Sequence, residues 1–218
     1  MHKAKTLPID LIERYRDWYA THFEANRALY ETLADDGQHP RALVISCCDS
    51  RVNITSIFGA DAGEFFIHRN IAALVPPHGL DQETRGTAAA IQYAVQHLNV
   101  ASILVVGHAG CGGVAACHDM AGSDTDEVDP SLSFIDTWLN ILKPGLARIS
   151  GQDRPDRLEE FEQIAVRIGL ENLMSYPFVA EAVRAGTLDL HGLWADMRAG
   201  EVHVLDAATD QFTPIPST

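Results

Sequence analysis

Two short runs constrain this chain more than anything else in it: residues 42–51, ALVISCCDSR, and residues 105–113, VVGHAGCGG. Each is apolar and rich in β-branched residues, and each ends abruptly in side chains that bind metals or carry charge. Leu43, Val44 and Ile45 lead to Cys47, Asp49 and Arg51, while Ile103 to Val106 lead to Gly107, His108 and Cys111. Buried strands that deliver reactive groups at their C-terminal ends are the site geometry of an open α/β sheet. Two such strands side by side bring Cys47, His108 and Cys111 together. Two thiolates and one neutral imidazole suit zinc, and catalytic zinc keeps three protein ligands with the fourth position open to water. A His-x-x-Cys pair alone is weak. It gains force from following a strand, and from Gly112 and Gly113, which let the backbone turn closely under a metal. A helix starting near Cys111 would also favour that thiolate through its N-terminal dipole.

The rest of the chain alternates helical and extended patterns. Over residues 8–33, Leu11, Ile12, Tyr15, Trp18, Tyr19 and Phe23 recur at helical spacing. This predicts an amphipathic arm whose aromatic stripe packs on a partner subunit or, equally, on its own sheet; Asp35-Asp36-Gly37 closes it with a turn. Strands are expected over residues 41–46, 64–68, 100–107, 188–194 and 201–205. Helices are expected over 53–58, 83–98, 111–120, 134–142 and 158–185, the last broken near Pro177. Val75-Pro76-Pro77 must be irregular, since neither proline donates a ladder bond, and the acidic stretch 121–129 reads as a solvated loop. The expected architecture is α/β: a mostly parallel central sheet of four to five strands flanked by helices, with an N-terminal helical arm, residues 1–37, packing on a partner subunit, and a zinc-binding catalytic domain over 38–218.

A formal charge of −14 over 218 residues argues against nucleic acid or an anionic membrane as partner. With no apolar run long enough to cross a bilayer and no signal-like h-region in residues 1–10, a cytoplasmic protein is expected. Of the four cysteines, Cys47 and Cys111 are claimed for metal, which suits a reducing compartment, and Cys48 and Cys117 read as small buried apolar residues.

Cys47-x-Asp49-Ser50-Arg51 followed about 60 residues later by His108-x-x-Cys111 resembles the β-class carbonic anhydrases. Similarity continues through Gly63-Glu64-Phe65-Phe66, His68-Arg69-Asn70-Ile71-Ala72, Val75-Pro76-Pro77, Ala89-Ala90-Ile91-Gln92-Tyr93-Ala94 and the glycines after Cys111. The resemblance implies one zinc ion per chain on Cys47, His108 and Cys111, and hydration of carbon dioxide to bicarbonate by a zinc-bound hydroxide. It also implies that Arg51 holds Asp49 ionised, so that Asp49 accepts a hydrogen bond from the zinc-bound hydroxide. Two residues apart on an extended segment, those side chains point the same way. Gln38, Phe66, Ile71 and Tyr93 match pocket residues around the substrate, and the family assembles as homo-oligomers built from dimers. Forms in which the aspartate closes onto zinc carry a tryptophan, an arginine and a C-terminal tyrosine. Here Val44 takes the tryptophan's place, Arg69 matches the arginine, and Gly192-Leu193-Trp194-Ala195 offers no tyrosine. An open site similar to the plant-like branch is therefore expected. The competing readings are a hydrolase of carbon disulfide or carbonyl sulfide on the same scaffold, and a non-catalytic zinc-stabilised binding protein. Structural zinc sites fill all four positions, which counts against the latter.

Overall fold

The structure, a computed structural model, describes residues 4–80, 85–120, 133–150 and 157–216. The chain divides into two compact units, Met1–His39 and Pro40–Thr218. The stretch 121–129 and the first residues of the helix expected over 83–98 lie outside the described residues.

In the first unit, α1 (Ile9–Trp18) runs through a π-helical turn, Tyr19–Phe23, and is followed by α2 (Arg27–Asp36). The aromatic stripe folds onto itself: the rings of Trp18, Tyr19 and Tyr30 lie 5.6, 5.2 and 5.3 Å from Phe23. Neither helix buries a residue within this unit. Asp35 and Asp36 belong to the last turn of α2 rather than to the turn after it. The reversal comes at Gly37, whose φ of +81° suits glycine and ends the helix.

The second unit contains, in chain order, β1 (Ala42–Cys47), α3 (Ile54–Ile57), β2 (Phe65–Asn70), α4 (Arg85–Gln92) with a π-helical extension (Tyr93–His97), β3 (Ser102–His108), α5 (Gly112–Met120), α6 (Ser133–Leu139), α7 (Lys143–Leu146), α8 (Arg157–Met174), α9 (Pro177–Arg184), β4 (Asp189–Asp196), β5 (Glu201–Asp206) and β6 (Gln211–Pro214). The strands form one sheet in the order β2-β1-β3-β4-β5-β6. The first four are parallel, and β5 and β6 add antiparallel hairpins. The sheet thus has six strands among the described residues, where four to five are expected. The extra one, β6, reads QFTP, is mostly exposed and ends in Pro214, so it shows no alternation and fits only an edge.

All six residues of β1 are buried, as a central strand covered on both faces requires. Leu43, Ile45, Ile103 and Val105 pack with Val166 of α8 and Val179 of α9 on one face, and Val44 and Val106 pack with Val52 and Ile54 on the other. Helix α8 lies unusually close to β3 and β4 because three glycines face the contact. A Cβ on Gly107 would stand 2.7 Å from Val166 Cγ2, one on Gly192 2.9 Å from Val166 Cγ1, and one on Gly169 3.0 Å from Val105 Cγ1. The chain leaves β1 towards one side of the sheet and reaches β3 on the other, so the C-terminal ends of β1 and β3 flank a topological switch point, where open sheets place their sites.

Candidate metal centre and active site

At that switch point, β1 ends at Cys47 and β3 at His108, and the turn after β3 carries Cys111. One ligand atom from each lies within 4.8 Å of the others, and all three residues are buried. His108 is 1% exposed. Its Nδ1 faces the Ala109 carbonyl at 3.0 Å and must carry the hydrogen, which leaves the Nε2 lone pair free. That Nε2 is buried without a hydrogen-bond partner. A buried nitrogen lone pair left bare beside two thiols is what a metal would satisfy, and the donor chemistry is that of zinc.

The electrostatics agree. The two thiols titrate as a pair. Hydrogen bonding from Cys111 draws Cys47 well below the usual thiol range against the penalty of burial, helped by His108 and the Asp49 N–H. Cys111, which is hydrogen-bonded to Cys47 and buried, is pushed up. Burial opposes a charge on His108, but the Cys47 sulfur, the Ala109 carbonyl and the Asp49 carboxylate outweigh it and raise its proton affinity. Positive charge is wanted at the point where the three side chains meet.

Asp49 and Arg51 are joined, though not by an extended backbone. Val52 N–H donates to the Asp49 carbonyl at 3.0 Å, closing a turn, and Arg51 N–H donates to Asp49 Oδ1 at 2.9 Å. The aspartate side chain thus bonds its own turn, which an extended segment would not allow. Arg51 Nε and Nη2 then grip the two carboxylate oxygens at 2.9 and 2.6 Å. These bonds hold the Asp49 carboxyl well below the usual range. Arg51 Nη2 also donates to the Gly110 carbonyl at 2.9 Å, tying the Cys47 loop to the His108–Cys111 turn. Arg69 braces the loop from β2, donating to the carbonyls of Cys47, Asp49 and Val52. Asp49 Oδ2 lies 3.9 Å from His108 Nε2.

The other expected residues are placed less uniformly. Ile71, 40% exposed, lines a cavity of about 510 Å³ together with Cys48, His68, Phe134 and Trp138. Phe66 and Tyr93 pack on each other with ring centroids 5.7 Å apart, and Phe66 leans on the core. Gln38 belongs to the first unit and is exposed there. Cys117 is buried, but Cys48 is exposed, because β1 ends at Cys47 and the chain has left the covered part of the sheet at the next residue. Of the two glycines after Cys111, Gly112 meets open space and the close approach falls on Gly113, where a Cβ would stand 2.8 Å from Ile71 Cγ2. The sequence reading missed Glu162 of α8. It is 2% exposed, and its carboxylate accepts the Cys111 N–H at 2.8 Å and the Trp194 indole N–H at 3.2 Å. The signal was there: a glutamate four residues before Val166 and seven before Gly169 sits on the helix's apolar stripe, where a charge is out of place.

Residues 42–202 match the family model described as carbonic anhydrase. The chain is 34% identical over 200 residues to beta carbonic anhydrase 3 of Arabidopsis thaliana, covering 88% of this chain and 76% of that protein. It is 40% identical over 167 residues to the chloroplastic beta carbonic anhydrase 5 of the same plant, covering 75% of this chain and 53% of that protein, about half its length. Among solved structures, the β-carbonic anhydrase CcaA has a TM-score of 0.81 at 28% identity, over 95% of this chain and 92% of that one. A tetrameric β-carbonic anhydrase from Sordaria macrospora has a TM-score of 0.76 at 32% identity, over 90% and 95%. With the cysteine–histidine–cysteine cluster at the head of the sheet and this breadth of likeness, the chain belongs to the carbonic anhydrase family, in its β class.

Proposed function

We propose that the protein catalyses the reversible hydration of carbon dioxide to bicarbonate and a proton, with one zinc ion held by Cys47, His108 and Cys111. The observation that carries this is the meeting of two buried thiols and an unpartnered imidazole nitrogen within 4.8 Å, beside a carboxylate clamped by an arginine. Zinc in such a site supplies a Lewis acid that brings the pKa of water towards the physiological range.

The chain's own residues do the rest. Asp49, kept ionised by Arg51, can only accept hydrogen bonds. It accepts a hydrogen bond from the attacking oxygen and so turns a lone pair of that oxygen towards carbon dioxide. His108, held by the Ala109 carbonyl, and Cys111, held at the start of α5, keep the donor set in place. Ile71 offers an apolar wall to an apolar gas, and Gln38, Phe66 and Tyr93 complete the substrate surroundings, with Gln38 donating to bicarbonate. The protein assembles as a homo-oligomer built from dimers, with the aromatic arm packing on a partner subunit. The relative from Sordaria macrospora is tetrameric. A cytoplasmic location fits the acidic chain, in which no helix among the described residues is long and apolar enough to cross a membrane.

Stopped-flow hydration of carbon dioxide by purified protein, paired with metal analysis, tests the proposal. The expected result is about one zinc per chain and a rate that climbs with pH. Two thiolates cancel the zinc charge, so the apparent pKa should exceed the roughly 7 of a three-histidine site. Turnover of carbon disulfide or carbonyl sulfide without carbon dioxide hydration, or a metal-loaded protein with neither activity, would reject it.

A further inference from the structure

Glu162 has no part in the chemistry above, and its burial demands an account. A carboxylate taken out of water is costly unless its oxygens are hydrogen-bonded. Helix α8 would pack as well on the sheet with an apolar residue there, as Val166, Gly169 and Leu173 do along the same stripe. The two donors that satisfy Glu162 come from separate segments, Cys111 on the metal-binding turn and Trp194 on β4.

Cys111 occupies a particular place. Ala115 N–H donates to its carbonyl at 3.0 Å, which makes it the N-cap of α5. The side chain of that N-cap residue is at the same time one of the three donors that meet at the candidate metal centre. In a capping box, a glutamate or glutamine at the third helical position reaches back to the N-cap's own N–H. Here that position is Val114, which cannot. Glu162 makes the missing bond from α8 instead. It can reach because Gly107 and Gly192 let α8 settle close to β3 and β4.

Building on the hydratase proposal, we infer that Glu162 is a positioning residue for the metal centre: it completes the cap of α5 from outside that helix and thereby aims Cys111 Sγ at the metal. The Trp194 indole holds the carboxylate's second oxygen, so that the first stays on Cys111. Glutamine at this position keeps the size but turns an N–H₂ towards one of the two donors.

The test compares wild type, E162Q and E162Q/W194F by three readouts: zinc affinity in competition with a chelator, the thiolate-to-cobalt absorption band of the cobalt-substituted protein, and thermal unfolding of the metal-free protein. E162Q should lose ~10–100-fold in zinc affinity, the usual effect of disturbing a ligand's support. Its cobalt band should shift, and its metal-free melting should stay near wild type. E162Q/W194F, with no indole N–H facing the new amide, should regain part of the affinity. Wild-type affinity and band in E162Q, or a double variant no better than E162Q, overturns the inference. So does a metal-free E162Q that fails to fold, since Glu162 would then serve the fold and not the metal. A wild type that binds zinc and hydrates carbon dioxide while E162Q matches it removes this inference alone; a wild type that takes up no zinc removes the hydratase proposal itself.

Discussion

Asp49 shows how much a single residue can be asked to do. Its carboxylate is pinned by the Arg51 N–H and guanidinium, and the same guanidinium reaches across to Gly110 on the second ligand loop. Asp49→Asn keeps the shape but puts an N–H₂ where only an acceptor is useful. Hydration should fall ~10–100-fold while zinc stays at about one per chain, the outcome expected when a group acts on the metal's chemistry and not on its retention. Stopped-flow rates and metal analysis on one preparation check this; an unchanged rate would remove Asp49 from the mechanism. The spacing of Cys47, Asp49 and Arg51 could be read from the sequence because all three lie within five residues. Glu162 could not be read so easily, since its partner Cys111 is 51 residues away and only packing brings the two together.

Among the elements, α8 against β3 and β4 is the contact on which the site leans. Gly107→Ala would drive a methyl into Val166 Cγ2, 2.7 Å away. Overpacking of this kind costs about 1–3 kcal/mol. Urea unfolding should show that loss, and Gly107→Ala with Val166→Ala should lose less than the sum of the two single changes. A second expectation belongs to β2 and α4, where His68 Nε2 meets Thr87 Oγ1 at 3.0 Å. Burial lowers the proton affinity of His68 from its ordinary value of 6.5. Below that pH the unfolded chain binds a proton that the folded chain refuses, so this contribution is complete above about pH 6.5 and is lost as pH falls towards the depressed folded value. Unfolding midpoints measured on either side of about pH 6.5 should therefore separate for wild type and converge in His68→Gln. The strands were legible from their β-branched runs, and α8 from its period. The register that sets Gly107 beside Trp194, and the short edge strand β6, were not, because neither leaves a local pattern.

For the whole molecule, the prediction concerns the aromatic arm. Leu11, Tyr15, Trp18 and Tyr19 are 47, 60, 40 and 42% exposed. If the arm packs on a partner subunit, the native mass should exceed the 23.8 kDa of one chain. Replacing Tyr15, Trp18 and Tyr19 together by Ala should then weaken association by about 2 kcal/mol or more, as truncating buried aromatic anchors does. Sedimentation of both proteins decides it, and identical masses would count against the arm as an interface. By itself the amino-acid sequence determined the α/β alternation, the cysteine–histidine–cysteine set and the paired aspartate and arginine, because each shows as a short motif at the end of an apolar run or as the period of a strand or helix. Only the tertiary structure decided that Arg51 reaches the Gly110 carbonyl, that close packing falls on Gly107 against Val166, and that Glu162 lies under Cys111. Those depend on distances between segments far apart in the chain, which no local pattern encodes.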